Sequence, residues 1–307
     1  MTLLVVSCKE PQIVPPPAPD AAALMSFNTS NLEEMTQLFI VNANAPIYVV
    51  GTKGTSLYLG ADQLVDGAGN LVTGNVEVRL IEVTKKSEMV MLNKATTGEK
   101  SNGDHATLVS GGEYYVSISQ YGSELTLSSP MIIQAPGAND SAMRKFVNIS
   151  EDEDLLWKIA DDSLLEIAEA DTVGEGGGDY TITYEIIPGE WGWTNIDKFY
   201  SDPRPKTTIF AELPEGFNDT NCEVYISYDG ESNALAAFDR WADGRFTEHY
   251  GLIPIGLEVH FIAVGIVNGE LHYVIEPATI TADHVQTLNH FTSIGEEALV
   301  NLIDELP

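Results

Sequence analysis

The sequence predicts a mostly β protein: two β-sandwich-like domains joined by an acidic linker and closed by a short C-terminal helix. Three observations carry that expectation. Apolar residues recur at every second position over long stretches, clusters of Gly, Asn and Asp interrupt them, and an Asn-Gly pair sits between two apolar runs near the end. The length agrees, because 307 residues exceed the roughly 150 of one ordinary domain.

Residues 1–8 read as a truncated lipoprotein signal ending in a lipobox. In Val5-Val6-Ser7-Cys8 an aliphatic residue, a tolerant position and a small residue precede a cysteine, whose thiol is the nucleophile that takes a diacylglycerol. The charged start and full apolar core of such a signal are missing from Met1 to Ser7, so the true start is expected upstream or removed by trimming. Residues 9–36 read as a Pro-rich tether. Pro11, Pro15, Pro16, Pro17 and Pro19 follow no period, and such a run favours extended polyproline geometry of about 3.1 Å per residue.

The first sandwich is expected over residues 37–149. Val76, Val78 and Leu80 alternate with Glu77 and Arg79, and Tyr114, Val116 and Ile118 alternate with Tyr115, Ser117 and Ser119, so each strand has one wet face. Turns are expected at residues 66–70, 101–104 and 110–112, where Gly and Asn cluster. Residues 150–178 read as a linker, rich in acids, ending in Gly176-Gly177-Gly178 and carrying docked apolar groups at Leu155 to Trp157 and Leu164 to Ile167. The second β-rich domain is expected over residues 179–307. Its clearest element is a hairpin around Asn268-Gly269, in which residue i pairs with 537 − i and places Ile262, Val264, Ile266, Leu271, Tyr273 and Ile275 on one face. A capping box at Ser293 and Glu296 predicts the closing helix, with Leu299, Leu302, Ile303 and Leu306 on its apolar side.

Charge and motif content narrow the chemistry. A net charge of −31 repels phosphate backbones, so nucleic acid is not an expected partner. No apolar run reaches the ~18 to 20 residues of a spanning helix. G-x-S-x-G, H-E-x-x-H, C-x-x-C and glycine-rich phosphate loops are all absent, so no catalytic residue, metal ligand or cofactor is assigned. His260 and His272 fall on opposite faces of the hairpin and cannot share a metal. A hydrolase would instead need two carboxylates converging in a cleft, which is a tertiary quantity. Cys222 opens an alternating segment with Val224, Ile226 and Tyr228 and is expected as a small buried hydrophobe. One stretch invites a binding reading: Trp191, Trp193, Phe199 and Tyr200 gather aromatic surface among Asn195 and Asp197, as a glycan platform does. The same residues also suit a core plug of a sandwich, and both readings stay open at this point.

Two stretches resemble a known group. Gly54, Thr55, Asp66, Gly69, Val72, Gly74, Val76, Glu82 and Val83 match a G-T…D-x-x-G-x-x-V-x-G-x-V pattern with a strand ending in E-V, although Tyr58-Leu59-Gly60-Ala61 departs from its I-P-x-x. Gly192, Trp193, Asn195, Asp197 and Phe199 match G-W-x-N-x-D-x-F. The chain so resembles extracytoplasmic lipoproteins of the Bacteroidetes type with an N-terminal β-sandwich module, and is more distantly similar to the sandwich modules of ankyrins and netrin receptors. The resemblance brings no catalytic residues and no settled ligand. It implies an envelope lipoprotein; the lipobox, the spacer and the missing catalytic motifs add the expectation that the chain is held at the outer membrane by lipid on Cys8, faces the periplasm or the exterior, and acts without catalysis as a structural or interaction subunit with other envelope proteins. The alternative is glycan binding at the surface.

Overall fold

A computed structural model describes residues 18–137, 140–150, 155–160, 165–169, 180–186, 191–248 and 251–307. The lipobox and Cys8 lie outside the described residues. The elements are α1 (Ala21–Met35), β1 (Gln37–Asn42), β2 (Ile47–Val50), β3 (Ser56–Leu59), β4 (Asn75–Val83), α2 (Lys86–Met91), β5 (Thr97–Glu99), β6 (His105–Gln120), β7 (Met131–Gly137), β8 (Arg144–Asn148), β9 (Trp157–Ile159), β10 (Leu165–Glu169), β11 (Tyr180–Ile186) and β12 (Gly192–Phe199). They continue with β13 (Ile209–Glu212), β14 (Glu223–Tyr228), β15 (Leu235–Ala237), β16 (Arg240–Ala242), β17 (Arg245–Thr247), β18 (Glu258–Val267), β19 (Glu270–Thr279), β20 (His284–Thr287), β21 (Thr292–Ser293) and α3 (Glu296–Asp304). Shorter two-residue strands fill the connections. The fold is mostly β, as the alternation predicts.

Two sheets form the first sandwich. One runs β1-β4-β6-β12-β8-β9-β5 and the other β10-β11-β7-β3-β2. Val76, Val78, Leu80, Tyr114, Val116 and Ile118 of the first meet Ile47, Val49, Leu57, Leu59, Ile133 and Ile182 of the second, and all are buried. The inward residues are the alternating apolar ones because a strand's side chains point to opposite faces with period two. A second sandwich packs β15-β14-β18-β19-β21 on β16-β17-β13-β20, through Val224, Ile226, Phe261 and Ala263 on one side and Ile209, Ala211 and Phe246 on the other. Cys222 is buried in that core, as expected.

The other face of the β14-β18-β19 sheet makes a third core. Tyr225, Ile262, Val264, Ile266 and Leu271 meet Ile81 and Val83 of β4, Met89, Val90 and Met91 of α2, Leu24 of α1, and Leu299 and Ile303 of α3. The hairpin pairs as Ile262↔Ile275, Val264↔Tyr273 and Ile266↔Leu271, so the expected face is the one that joins the two sandwiches. Full burial of a Leu or Ile side chain is worth about 1.5–3 kcal/mol, and at least six such residues sit in this seam.

Several expectations are corrected. The 150–178 stretch is no bare linker: β9 pairs with β8 and β5, and β10 pairs with β11. Its acids misled because Glu166 lies on the solvent side of an edge strand, while Leu165 and Ile167 reach the core. β11 and β12, expected in the second domain, pair with β7 and with β6 and β8 in the first sandwich. The 9–36 tether gives way to α1 from Ala21. Asp20 caps it, accepting the Ala23 N–H at 3.1 Å, and three alanines follow a proline that cannot lie inside the helix. Residues 110–112 form no turn but lie inside β6. Gly111 is there for closeness: a Cβ would sit 2.8 Å from the Ile196 carbonyl oxygen. The capping box does not form, since Ser293 pairs with His272 and Gly295 takes the N-cap position of α3 without a side-chain bond. Leu302 stays exposed, whereas Leu299 and Ile303 are buried.

Candidate functional site

Strand β12 places the residues of the expected aromatic platform, and it disperses them. Trp191 packs against the first core, and its indole N–H donates to the Leu125 carbonyl. Trp193 stands edge-on to Tyr115, with centroids 5.5 Å apart, at the joining seam. Phe199 stacks edge-on with Phe146, and Tyr200 with Tyr228, each in a different core. Asn195 and Asp197 are fully buried. A continuous platform over Trp191–Tyr200 is therefore not what the fold builds, because alternation and a bulge between Asn195 and Asp197 send neighbouring rings to separate cores.

The buried polar pair on this strand is itself unusual. Asn195 Nδ2 donates to Asp197 Oδ2 at 2.5 Å, and Ser110 Oγ donates to Asn195 Oδ1 at 3.2 Å. Glu113, opposite Asn195 on β6, has neither carboxyl oxygen hydrogen-bonded among the described residues, and Asp197 Oδ1 also lacks a donor. Burial, and then the Asp197 charge, push the Glu113 carboxyl well above the usual range against the pull of Lys94. Burial does the same to Asp197, opposed by hydrogen bonds from Ser110, Gly111 and Asn195. Two carboxyls sealed in one apolar place cannot both ionise cheaply, so the pair retains a proton. Neither side chain has any exposed surface.

Glu82, by contrast, organises a turn. Its carboxylate accepts the Lys53 and Thr55 N–H groups at 3.0 Å each and the Gln37 amide at 2.8 Å. Burial raises its pKa, but the bonds from Thr55, Gln37 and the backbone outweigh that and hold it below its ordinary value. Thus Gly54-Thr55 and Glu82, far apart in sequence, meet in one clamp.

The open site lies at the seam. A cleft of about 510 Å³ is lined by Leu24, Asn28, Thr29 and Leu32 of α1, by Asn93 and Lys94 after α2, by Trp193, and by Asp219 to Glu223 of the second sandwich. It adjoins a hollow of about 360 Å³ that runs on past Tyr225, Asp239 and Arg240 to Trp241; the two share Asn93, Leu155, Asp219, Cys222 and Glu223. Both fall in the size range of small-ligand sites. The floor is a fixed polar set. Asn28 Nδ2 donates to Glu223 Oε1 at 2.5 Å, while the Tyr225 hydroxyl lies 2.7 Å from Asn93 Oδ1 and 3.0 Å from Glu223 Oε2 and is shared between them. Asn28 Oδ1 is buried and has no donor among the described residues. Trp241 stands edge-on to Phe246 at 4.9 Å, which fixes its ring at the far end. Burial pushes the Cys222 thiol well up, so it stays a neutral thiol beside the cleft. Of the predicted residues only Trp193 opens here. Asn28, Asn93, Glu223, Tyr225 and Trp241 went unnoticed because four separate segments supply them, and no local pattern marks any one.

Among the described residues no group of three or more His, Cys, Asp or Glu side chains is placed to hold a metal. No helix is long and apolar enough to cross a membrane. Comparison with known proteins adds little: no family model and no curated protein matches the chain. Among solved structures, a gamma-CGTase from alkalophilic Bacillus clarkii is similar at 10% identity, over 81% of this chain and 40% of that one, with a TM-score of 0.19. The chain thus spans well under half of that enzyme's length, and a likeness so slight carries no argument about fold or activity.

Proposed function

We propose that this chain is the extracytoplasmic body of a lipoprotein, held at the outer membrane by lipid on Cys8, that works by binding as an interaction subunit of the cell envelope and not by catalysis. The observation that supports it most is the position of α1. This helix follows directly on the Pro-rich segment and is wedged in the seam, where the Asp20 N–H donates to the Ile266 carbonyl at 2.7 Å and Leu24 is buried in the joining core. A tether attached there holds both sandwiches, and the cleft with them, as one piece. The cleft suits recognition: the carboxylate at its floor, Glu223, already has both oxygens hydrogen-bonded, and its thiol, Cys222, is kept neutral.

The test is fractionation of cells making the protein with its native leader. The wild type should partition with membranes and take up radiolabelled palmitate, and Cys8→Ser should lose the label and move to the soluble fraction. One chain of lipid gives only marginal binding, and the stable partition expected here takes several, each buried CH₂ contributing about 0.8 kcal/mol. An unlabelled, soluble wild type contradicts the proposal. An envelope protein co-purifying from mild detergent supports the interaction reading.

A further inference from the structure

We propose that the seam cleft binds a neutral oligosaccharide, with Trp193 and Trp241 as the two stacking walls and the Asn28–Glu223–Tyr225–Asn93 set as the hydrogen-bonding floor. The inference names the ligand class of the cleft discussed above. It rests on that cleft, but not on lipid attachment.

Charge selects the ligand first. The chain carries −31 overall, yet the side chains lining the joined cleft include three carboxylates, Asp219, Glu223 and Asp239, against Lys94 and Arg240. The cleft is nearly balanced inside a strongly acidic molecule. An anion is repelled by the surrounding field before it arrives. Nor do three of the described acids, histidines or cysteines converge here to hold a metal cation. A neutral polar ligand loses nothing to either effect.

The remaining chemistry favours hydroxyl groups over peptide. Indole rings present a flat apolar face, which suits the C–H face of a pyranose, and neither ring can swing freely: Trp193 is braced by Tyr115 and Trp241 by Phe246. Between them the floor offers amide, carboxylate and phenol groups whose positions are fixed by one another before any ligand enters. Such a preset floor avoids an ordering cost on binding. Placing the two tryptophans in adjoining hollows implies a ligand of more than one sugar ring.

The experiment uses the full chain carrying Cys8→Ser, so that anchoring cannot affect the result. Maltohexaose, cellohexaose, laminarihexaose, xylohexaose and chitohexaose are titrated by calorimetry and by tryptophan fluorescence, with polygalacturonate and hexalysine as charged controls. At least one neutral hexasaccharide should bind with little dependence on salt. Trp193→Ala and Trp241→Ala should each weaken it roughly tenfold or more, as buried aromatic anchors do. Asn28→Asp, which keeps size but places a charge against Glu223, should weaken it too, and circular dichroism should show all three variants folded. Failure of every hexasaccharide at about millimolar concentration overturns the inference. So does binding that survives both tryptophan changes, or preference for either charged control. Loss of binding with intact lipidation faults this inference alone, and loss of lipidation with intact binding faults only the anchoring.

Discussion

Replacing Glu113 by Gln should make the protein more stable at neutral pH, by an amount that grows with pH. The side chain is fully buried, neither oxygen has a hydrogen-bond partner among the described residues, and its pKa is raised by burial and by Asp197. A carboxyl whose folded pKa is raised contributes stability that is complete below its unfolded value, near 4.5 here, and that is lost as pH rises toward the folded value. One retained proton corresponds to about 1.4 kcal/mol per pH unit inside that window, so two pH units are worth about 3 kcal/mol. The amide never ionises and so carries no such pH-dependent cost. Urea denaturation of both proteins from pH 5 to pH 8 measures the gap. The two stabilities should nearly coincide at the acid end and diverge in favour of Gln as pH rises. Asp66, Asp140 and Asp202, whose pKa values are lowered by hydrogen bonds, act in the opposite sense in both proteins and cancel in the difference. Parallel curves across the whole range would refute the argument that a proton is held in this pair.

Two further predictions concern the joining of the sandwiches. Ile262→Ala removes a fully buried group from the seam and should cost about 2–5 kcal/mol while leaving one cooperative transition. A negligible loss, or a separate early transition of one sandwich, argues against a common core. Gly111→Ala should destabilise by about 1–3 kcal/mol, because the added carbon meets backbone oxygen rather than a flexible side chain. Gly67→Ala, where a Cβ meets nothing within 4 Å, is the control and should shift stability by less than about 0.5 kcal/mol.

Local pattern announced what local physics decides. The Asn268-Gly269 hairpin folds in the expected register because a two-residue turn with positive φ at both positions, 53° and 80°, fixes the pairing by itself. The inward residues of β4 and β6 followed from alternation in the same way. What stayed hidden is set by partners distant in sequence. β9 and β10 look like an acidic linker until their neighbours cover the apolar side, and Gly111-Gly112 looks like a turn until the paired strand β12, at its bulge, comes close against Gly111. The α1 helix is polar through Asn28 to Asn31, and its few apolar groups find a use only in a seam that two sandwiches create. For the same reason the aromatic stretch was visible and its arrangement was not. Trp193 reaches the cleft, whereas Trp191, Phe199 and Tyr200 each brace a different core.

Intact mass and N-terminal peptide analysis of protein taken from native membranes tests the account most directly. The expected result is a mature chain that begins at Cys8 and carries diacylglycerol on the thiol, with a further acyl group on the new amine. A chain retaining Val6-Ser7 ahead of an unmodified cysteine contradicts it.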